Sequence, residues 1–287
     1  MKILKKISIL FLTLLCLTGC NTKSNMEDIN IYTTSYPLNF LINKLYEDHS
    51  KVYSIYPTGI TLDDYELSDR KLEEYSKSDL FVFNSLDKDR DYAVKMINLN
   101  SNLKVIDVAI GINYDYKIEE LWLNPNNYLM MAENIKNGLA EYIENPYLVE
   151  EINKKFESLK YDISKLDADL TETIINANYN TIVVDNDIFK FLEKRGLKVI
   201  SLEENDDLSN NKIDEVKKLI KDGKIKYIYS VSKESNDTVN SLVDNYNVER
   251  IILNSMHSID GGVTNSNDSY FTIMTNNINY LKQELYK

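Results

Sequence analysis

Hydrophobic and polar positions along this chain fall into short apolar runs and amphipathic stretches that take turns. Runs rich in β-branched and aromatic residues at 29–36, 51–56, 80–84 and 103–108 predict strands. Helical spacing predicts helices at about 38–48, 69–78, 90–99 and 126–143, with Pro146 ending the last. The strongest periodicity follows. Leu148, Ile152, Phe156, Leu159, Ile163, Leu166, Leu170 and Ile174 step by three or four residues, with mostly charged positions between them. That stripe predicts one long helix over 147–176 whose apolar side is a packing face, with a coiled-coil partner as the other reading. Strands at 181–184, 198–202, 226–230 and 250–253 then alternate with helices at 188–194, 212–221, 237–245 and 271–285. Strand–helix alternation implies parallel sheets. The expected fold is therefore α/β, with two parallel-sheet lobes (29–146 and 177–287) joined by one long backbone helix. Ligands of such sheets sit beyond the carboxyl ends of the strands, which here means a cleft between the lobes.

The first residues carry a different signal. Lys2, Lys5 and Lys6 precede an apolar run over 7–17 that closes with Leu17-Thr18-Gly19-Cys20. This is the layout of a signal peptide over 1–19 with a lipobox, in which Cys20 is acylated and becomes the mature N-terminus. A run of eleven residues, interrupted by Ser8 and Thr13, is too short for a membrane-spanning helix, which needs roughly 20. The polar stretch 20–28 then reads as a lipidated tether. The expected location is the extracytoplasmic face of a cell membrane, held by the Cys20 lipid, in a Gram-positive bacterium.

Charge and cysteine content narrow the chemistry. Removing 1–19 takes away three lysines and no acid, moving the net charge from −12 to −15. Such a surface argues against nucleic acid as a partner. Cys16 leaves with the signal and Cys20 is acylated, so no thiol remains for a disulfide or a metal site. There is no Gly-rich phosphate loop, no Gly-x-Ser-x-Gly and no His-Glu-x-x-His, so the chain reads as a binder and not an enzyme.

Several fragments, in order, resemble one family. They are Thr33-Thr34-Ser35-Tyr36-Pro37, the loop from Tyr56-Pro57 through Gly59 to Asp63-Asp64-Tyr65-Glu66, and Ser78-Asp79-Leu80-Phe81-Val82-Phe83-Asn84. Further on come Leu121-Trp122-Leu123-Asn124-Pro125, Met131-Ala132-Glu133-Asn134-Ile135, Arg195-Gly196-Leu197 and Tyr270-Phe271 with Met274 and Asn277-Ile278. Together they resemble the cluster A-I metal-binding lipoproteins, the adhesin-like substrate-binding subunits of zinc and manganese ABC importers. The resemblance implies a metal held in the cleft by two residues from each lobe, and delivery of it to an ABC permease and its ATPase by a monomer.

Carried over by position, the family's three histidines and one carboxylate fall on Asp63, Glu120, Asn186 and Asn254, all of which depart from the family pattern. Four oxygen donors without imidazole or thiolate suit a hard cation, Mn²⁺ before Zn²⁺. The stretch 109–119 also lacks the histidine-rich loop of zinc-specific members. Asp185-Asn186-Asp187 reads equally as a helix N-cap. Only His49 and His257 are present; His257 either leans into the cleft or lies on a surface loop. Loss of all three histidines also fits a cleft that binds no metal at all and takes an organic cation, with Tyr65, Tyr114, Tyr116 or Trp122 packed against it. An adhesin-like surface role is the further alternative.

Overall fold

In the computed structural model, which describes residues 26–57, 65–257 and 269–287, β1 (Ile29–Thr33) ends earlier than its run of β-formers predicts. Extended Ser35 and Pro37 in the first turn start α1 (Tyr36–Tyr46) there, because proline's fixed φ suits a first helical turn. β2 (Ser50–Ser54), α2 (Asp69–Tyr75), β3 (Leu80–Phe83), α3 (Asp89–Leu99) and β4 (Lys104–Asp107) complete the first lobe's alternation. Its four strands pair in the order β2-β1-β3-β4, all parallel. A short α4 (Glu120–Leu123) leads into α5 (Pro125–Tyr142) and the long α6 (Pro146–Ile175). The second lobe repeats the plan: β5 (Thr181–Val184), β6 (Lys198–Ser201), α7 (Asn210–Lys221), β7 (Tyr227–Ser230), α8 (Asp237–Asn245), β8 (Glu249–Ile252) and α9 (Tyr270–Leu285). Its strand order is β6-β5-β7-β8, again all parallel. The α-helix expected at 188–194 is a 3₁₀ helix, Asp187–Arg195, closed by Gly196 at φ +105°. A left-handed residue at that position costs glycine little.

The α6 stripe is consumed inside the chain. Leu148 through Ile174 lie in one apolar cluster that also contains Ile31, Leu41 and Ile106 of the first lobe and Ile182, Leu192 and Ile278 of the second. The stripe is therefore not available to a coiled-coil partner, because both lobes bury it. Each lobe keeps a separate cluster on the other face of its sheet, around Phe81 and Met96 in the first and Val183 and Val216 in the second. Arg195 reinforces the junction. Its Nη2 donates to Asp167 Oδ1 (2.6 Å) and Asn124 Oδ1 (2.9 Å), and its Nη1 to Thr171 Oγ1 (3.1 Å), tying the second lobe to α6 and the start of α5.

Gly138 marks where α5 approaches the first sheet most closely. A Cβ there would stand 2.7 Å from Ile106 Cγ1, a branch atom fixed to the backbone through Cβ. Gly138→Ala is expected to destabilise the fold by about 1–3 kcal/mol despite alanine's better helix propensity. Urea unfolding measures this, and a stabilising outcome would mean that Ile106 moves freely. Among the described residues no helix is long and apolar enough to cross a membrane. The expected signal peptide, Cys20 and Asp63 lie outside the described residues.

Candidate functional site

Between the lobes, the segments that follow the strand ends are stitched by contacts that cross the seam. Lys117 Nζ is 2.7 Å from Glu203 Oε1, which stands two residues beyond β6. The other oxygen of Glu203 accepts from Asp187 N (2.8 Å), beside Asn186 at the end of β5. Two residues on from Lys117, Glu119 Oε1 lies 2.8 Å from His257 Nδ1. Trp122 Nε1 donates to Ser255 O (2.8 Å), and Tyr116 OH to Glu193 Oε2 (3.0 Å). Lys194 pairs with Asp115. Loops 115–122, 186–187, 203 and 254–257 thus face one another, as the strand-end rule expects.

Each expected site residue has a definite place along this seam or away from it. Glu120 is 2% exposed and its Oε2 accepts from Asp115 N (3.0 Å). Its charge reaches Lys194, whose ammonium is held above the usual lysine range first by its hydrogen bond to Asp115. Asn186 caps the 3₁₀ helix, with Oδ1 accepting from Ile188 N (3.0 Å). Asn254 is braced by Asn277, which accepts from its N and donates to its O (2.9 Å each), while its own Oδ1 accepts from Met256 N (2.8 Å). Each carboxamide oxygen has a second lone pair beyond that bond.

His257 is not on a free surface loop. Its side chain is 17% exposed and faces Glu119. The loop carrying it turns through buried Met256 at φ +53°, a conformation that an unbranched non-glycine residue adopts at some cost. Tyr65 is placed elsewhere, edge-on to Tyr56 (6.0 Å) against the first lobe's second apolar cluster. Trp122 is 3% exposed, so it serves as wall more than as an open aromatic face. Among the described residues no three His, Cys, Asp or Glu side chains are grouped to hold a metal.

Three seam residues escape a motif-based reading. Lys117, Glu119 and Glu203 sit in no repeating pattern. Glu203 was findable in principle, as a carboxylate just past a predicted parallel strand. Lys117 is the telling one. Its ammonium is held above the ordinary lysine range first by the hydrogen bond to Glu203, with the Asp187 and Glu119 charges adding to it. It puts a tethered positive charge among carboxylates of both lobes.

With this geometry in hand, the chain compares closely with known proteins. The family model ZnuA, zinc-uptake complex component A periplasmic, matches residues 31–284. The zinc-binding lipoprotein AdcA of Streptococcus pneumoniae (strain ATCC BAA-255 / R6) is 24% identical over 311 residues, covering 98% of this chain and 61% of its own length. This chain thus spans about three fifths of that relative. The high-affinity zinc uptake system protein ZnuA of Bacillus subtilis (strain 168) is 21% identical over 297 residues, covering 93% and 91%. Among solved structures, the metal-dependent lipoprotein YcdH from Bacillus subtilis superposes with a TM-score of 0.76 at 19% identity, over 91% of this chain and all of that one.

Proposed function

This chain belongs to the zinc-uptake complex component A family, and on that premise we propose that it captures a divalent cation between its lobes for an ABC permease and its ATPase. It works from the extracytoplasmic face of the membrane, anchored there by the Cys20 lipid, and binds without catalysing a reaction. The observation that carries this reading is the family match over residues 31–284. The seam adds carboxylates on both sides, Glu119 and Glu120 on one and Glu203 on the other, which a metal would have to draw together because no three of them are grouped among the described residues. Of the relatives named above, AdcA and ZnuA are zinc proteins and YcdH is a metal-dependent lipoprotein. This seam offers carboxylate and carboxamide oxygens and one imidazole, a donor set better matched to Mn²⁺ than to tetrahedral Zn²⁺. The apolar core shared by both lobes and α6 supports capture with little hinge movement.

In this reading the metal competes with Lys117 for Glu203. Native mass spectrometry of the full chain titrated with Mn²⁺, Zn²⁺ and Ca²⁺ should find a seam-bound Mn²⁺ that Glu120→Gln removes. Lys117→Met should tighten Mn²⁺ roughly fivefold, since a partly exposed ion pair contributes up to about 1 kcal/mol. A seam that binds no metal in the parent chain or in Lys117→Met overturns the proposal.

A second reading has its own observation. Lys117 and His257 already sit opposite Glu203 and Glu119, so the seam resembles one whose charges are met from within. It would then accept an organic cation or serve an adhesin-like role. Lys117→Met would in that case lower thermal stability without creating metal affinity.

A further inference from the structure

A second cluster of oxygen donors lies wholly within the first lobe. Thr34 and Ser35 directly follow β1, Asn84 directly follows β3, and Asp87 and Asp89 lead into α3. All five line one cavity, with Trp122 and other apolar side chains behind them. The free space is about 10 Å³, roughly what one water or one bare ion requires. We propose that this cavity is a cation site of its own, in which Asp87, Asp89, Thr34 and Ser35 bind one dehydrated divalent cation of the Ca²⁺ or Mn²⁺ kind.

Burial is the first reason. Asp89 is 6% exposed, yet neither it nor Asp87 forms an ion pair with a lysine, arginine or histidine among the described residues. Its contacts are neutral: Tyr56 OH donates to Oδ1 (3.0 Å), and the Thr34 hydroxyl also bonds to it. The adjacent Lys88 sends its ammonium to Tyr65 O (3.0 Å) and does not pair with Asp89, so its charge is the last of the influences that favour the ionised carboxyl. A carboxylate taken out of water without a compensating charge is costly.

The second reason is independent of the acids. Ser35 is 4% exposed and its Oγ has no hydrogen-bond partner among the described residues. A buried hydroxyl beside such a cavity is a ready oxygen ligand, and orphaned polar atoms of this kind are rare in native folds. Asn84 is less available, since its Oδ1 accepts from Leu86 N (3.1 Å). Asp87 Oδ1 accepts from Lys88 N (2.6 Å), which leaves Oδ2 for the cavity. Two carboxylates and two hydroxyls form a hard donor set, and two negative charges neutralise one divalent ion.

A buried acid of the second lobe, directly after β5, shows the contrast. Asp185, also 6% exposed, accepts from Ser235 Oγ (2.7 Å) and Val231 N (3.2 Å), and Arg250 lends its charge. Trp122 separates the proposed site from the seam: it lines the cavity while its Nε1 reaches Ser255.

Trp122 is also the chain's single tryptophan, so its emission reports on both sites and variants tell them apart. The metal-free full chain is titrated with Mn²⁺ and with Ca²⁺, following Trp122 emission and ion stoichiometry by native mass spectrometry. Glu120→Gln is expected to retain one ion. Combining Asp87→Asn with Asp89→Asn should weaken that ion at least about a hundredfold, since ligand charge count sets affinity. Ser35→Ala, which leaves the carboxylates in place, should weaken it about three- to tenfold. An ion lost in Glu120→Gln yet retained in the double variant places the metal at the seam and overturns this site alone. No ion in the parent chain overturns both readings, and affinity unchanged by Ser35→Ala and by the double variant also overturns this one.

Discussion

Tyr270→Ala is expected to cost about 4 kcal/mol of unfolding free energy, the largest loss from any single truncation considered in this molecule. The residue opens α9 behind the Ser269 cap, so its backbone belongs to the second lobe. Its side chain does not stay there. The ring stacks on Tyr128 of α5 with centroids 3.8 Å apart, and Phe40 of α1 stands 5.9 Å away. The hydroxyl donates to Trp122 O at 2.7 Å. Burial holds the phenol far above its usual range, so it remains a neutral donor at every physiological pH. Truncation removes a fully buried aromatic body, leaves a cavity at the junction of the lobes and deprives a buried carbonyl of its donor. Tyr270→Phe separates these effects, because it loses only the hydrogen bond and should cost about 1 kcal/mol. Denaturant unfolding of both variants provides the check. Equal losses would mean that the stacked ring does little to hold the lobes together.

Asp89→Asn is expected to act in the opposite direction and to depend on pH. Burial pushes the Asp89 carboxyl up to about 7, with the negative charge of Asp87 assisting and the Thr34 and Tyr56 hydrogen bonds opposing. In the unfolded chain the same group releases its proton near about 3.9. Between these values the native state holds more protons than the unfolded state, so this residue's contribution to stability falls as pH rises from about 4 to about 7. The penalty is absent below that window and complete above it, on the order of 4 kcal/mol. In buffer containing a chelator, Asp89→Asn should match the parent near pH 4 and exceed it at pH 8. Measuring the difference between the two proteins cancels the carboxylates that shift downward, such as Asp48 and Glu151 beside Lys155. A difference that stays constant with pH would show that burial of this carboxylate is not costing stability.

The two residues illustrate unequal legibility. Tyr270 was visible as part of a family-like closing segment, and an aromatic at a helix start invites a packing reading. Nothing local marks Asp89, which reads as an ordinary first-turn acid favoured by the helix dipole. Its burial follows from Tyr56, which is 33 residues away, closing over it. His257 shows the same gap. A lone histidine in a loop has no pattern, and only the turn at Met256 brings it to Glu119. Asn186 is the converse case: the N-cap reading rested on a local rule, and its Oδ1 does accept from Ile188 N.

Alternation of strands and helices, the stripe from Leu148 to Ile174 and the two-lobed plan were determined by the sequence alone. These features repeat over 2 or 3.6 residues, so a short window contains the whole signal. Tertiary structure alone decided which charges meet. Lys117 finds Glu203 across 86 residues, and Trp122 finds Ser255 across 133. Such pairs are set by how two sheets and one helix share a core, a long-range geometry to which no stretch of neighbouring residues is periodic.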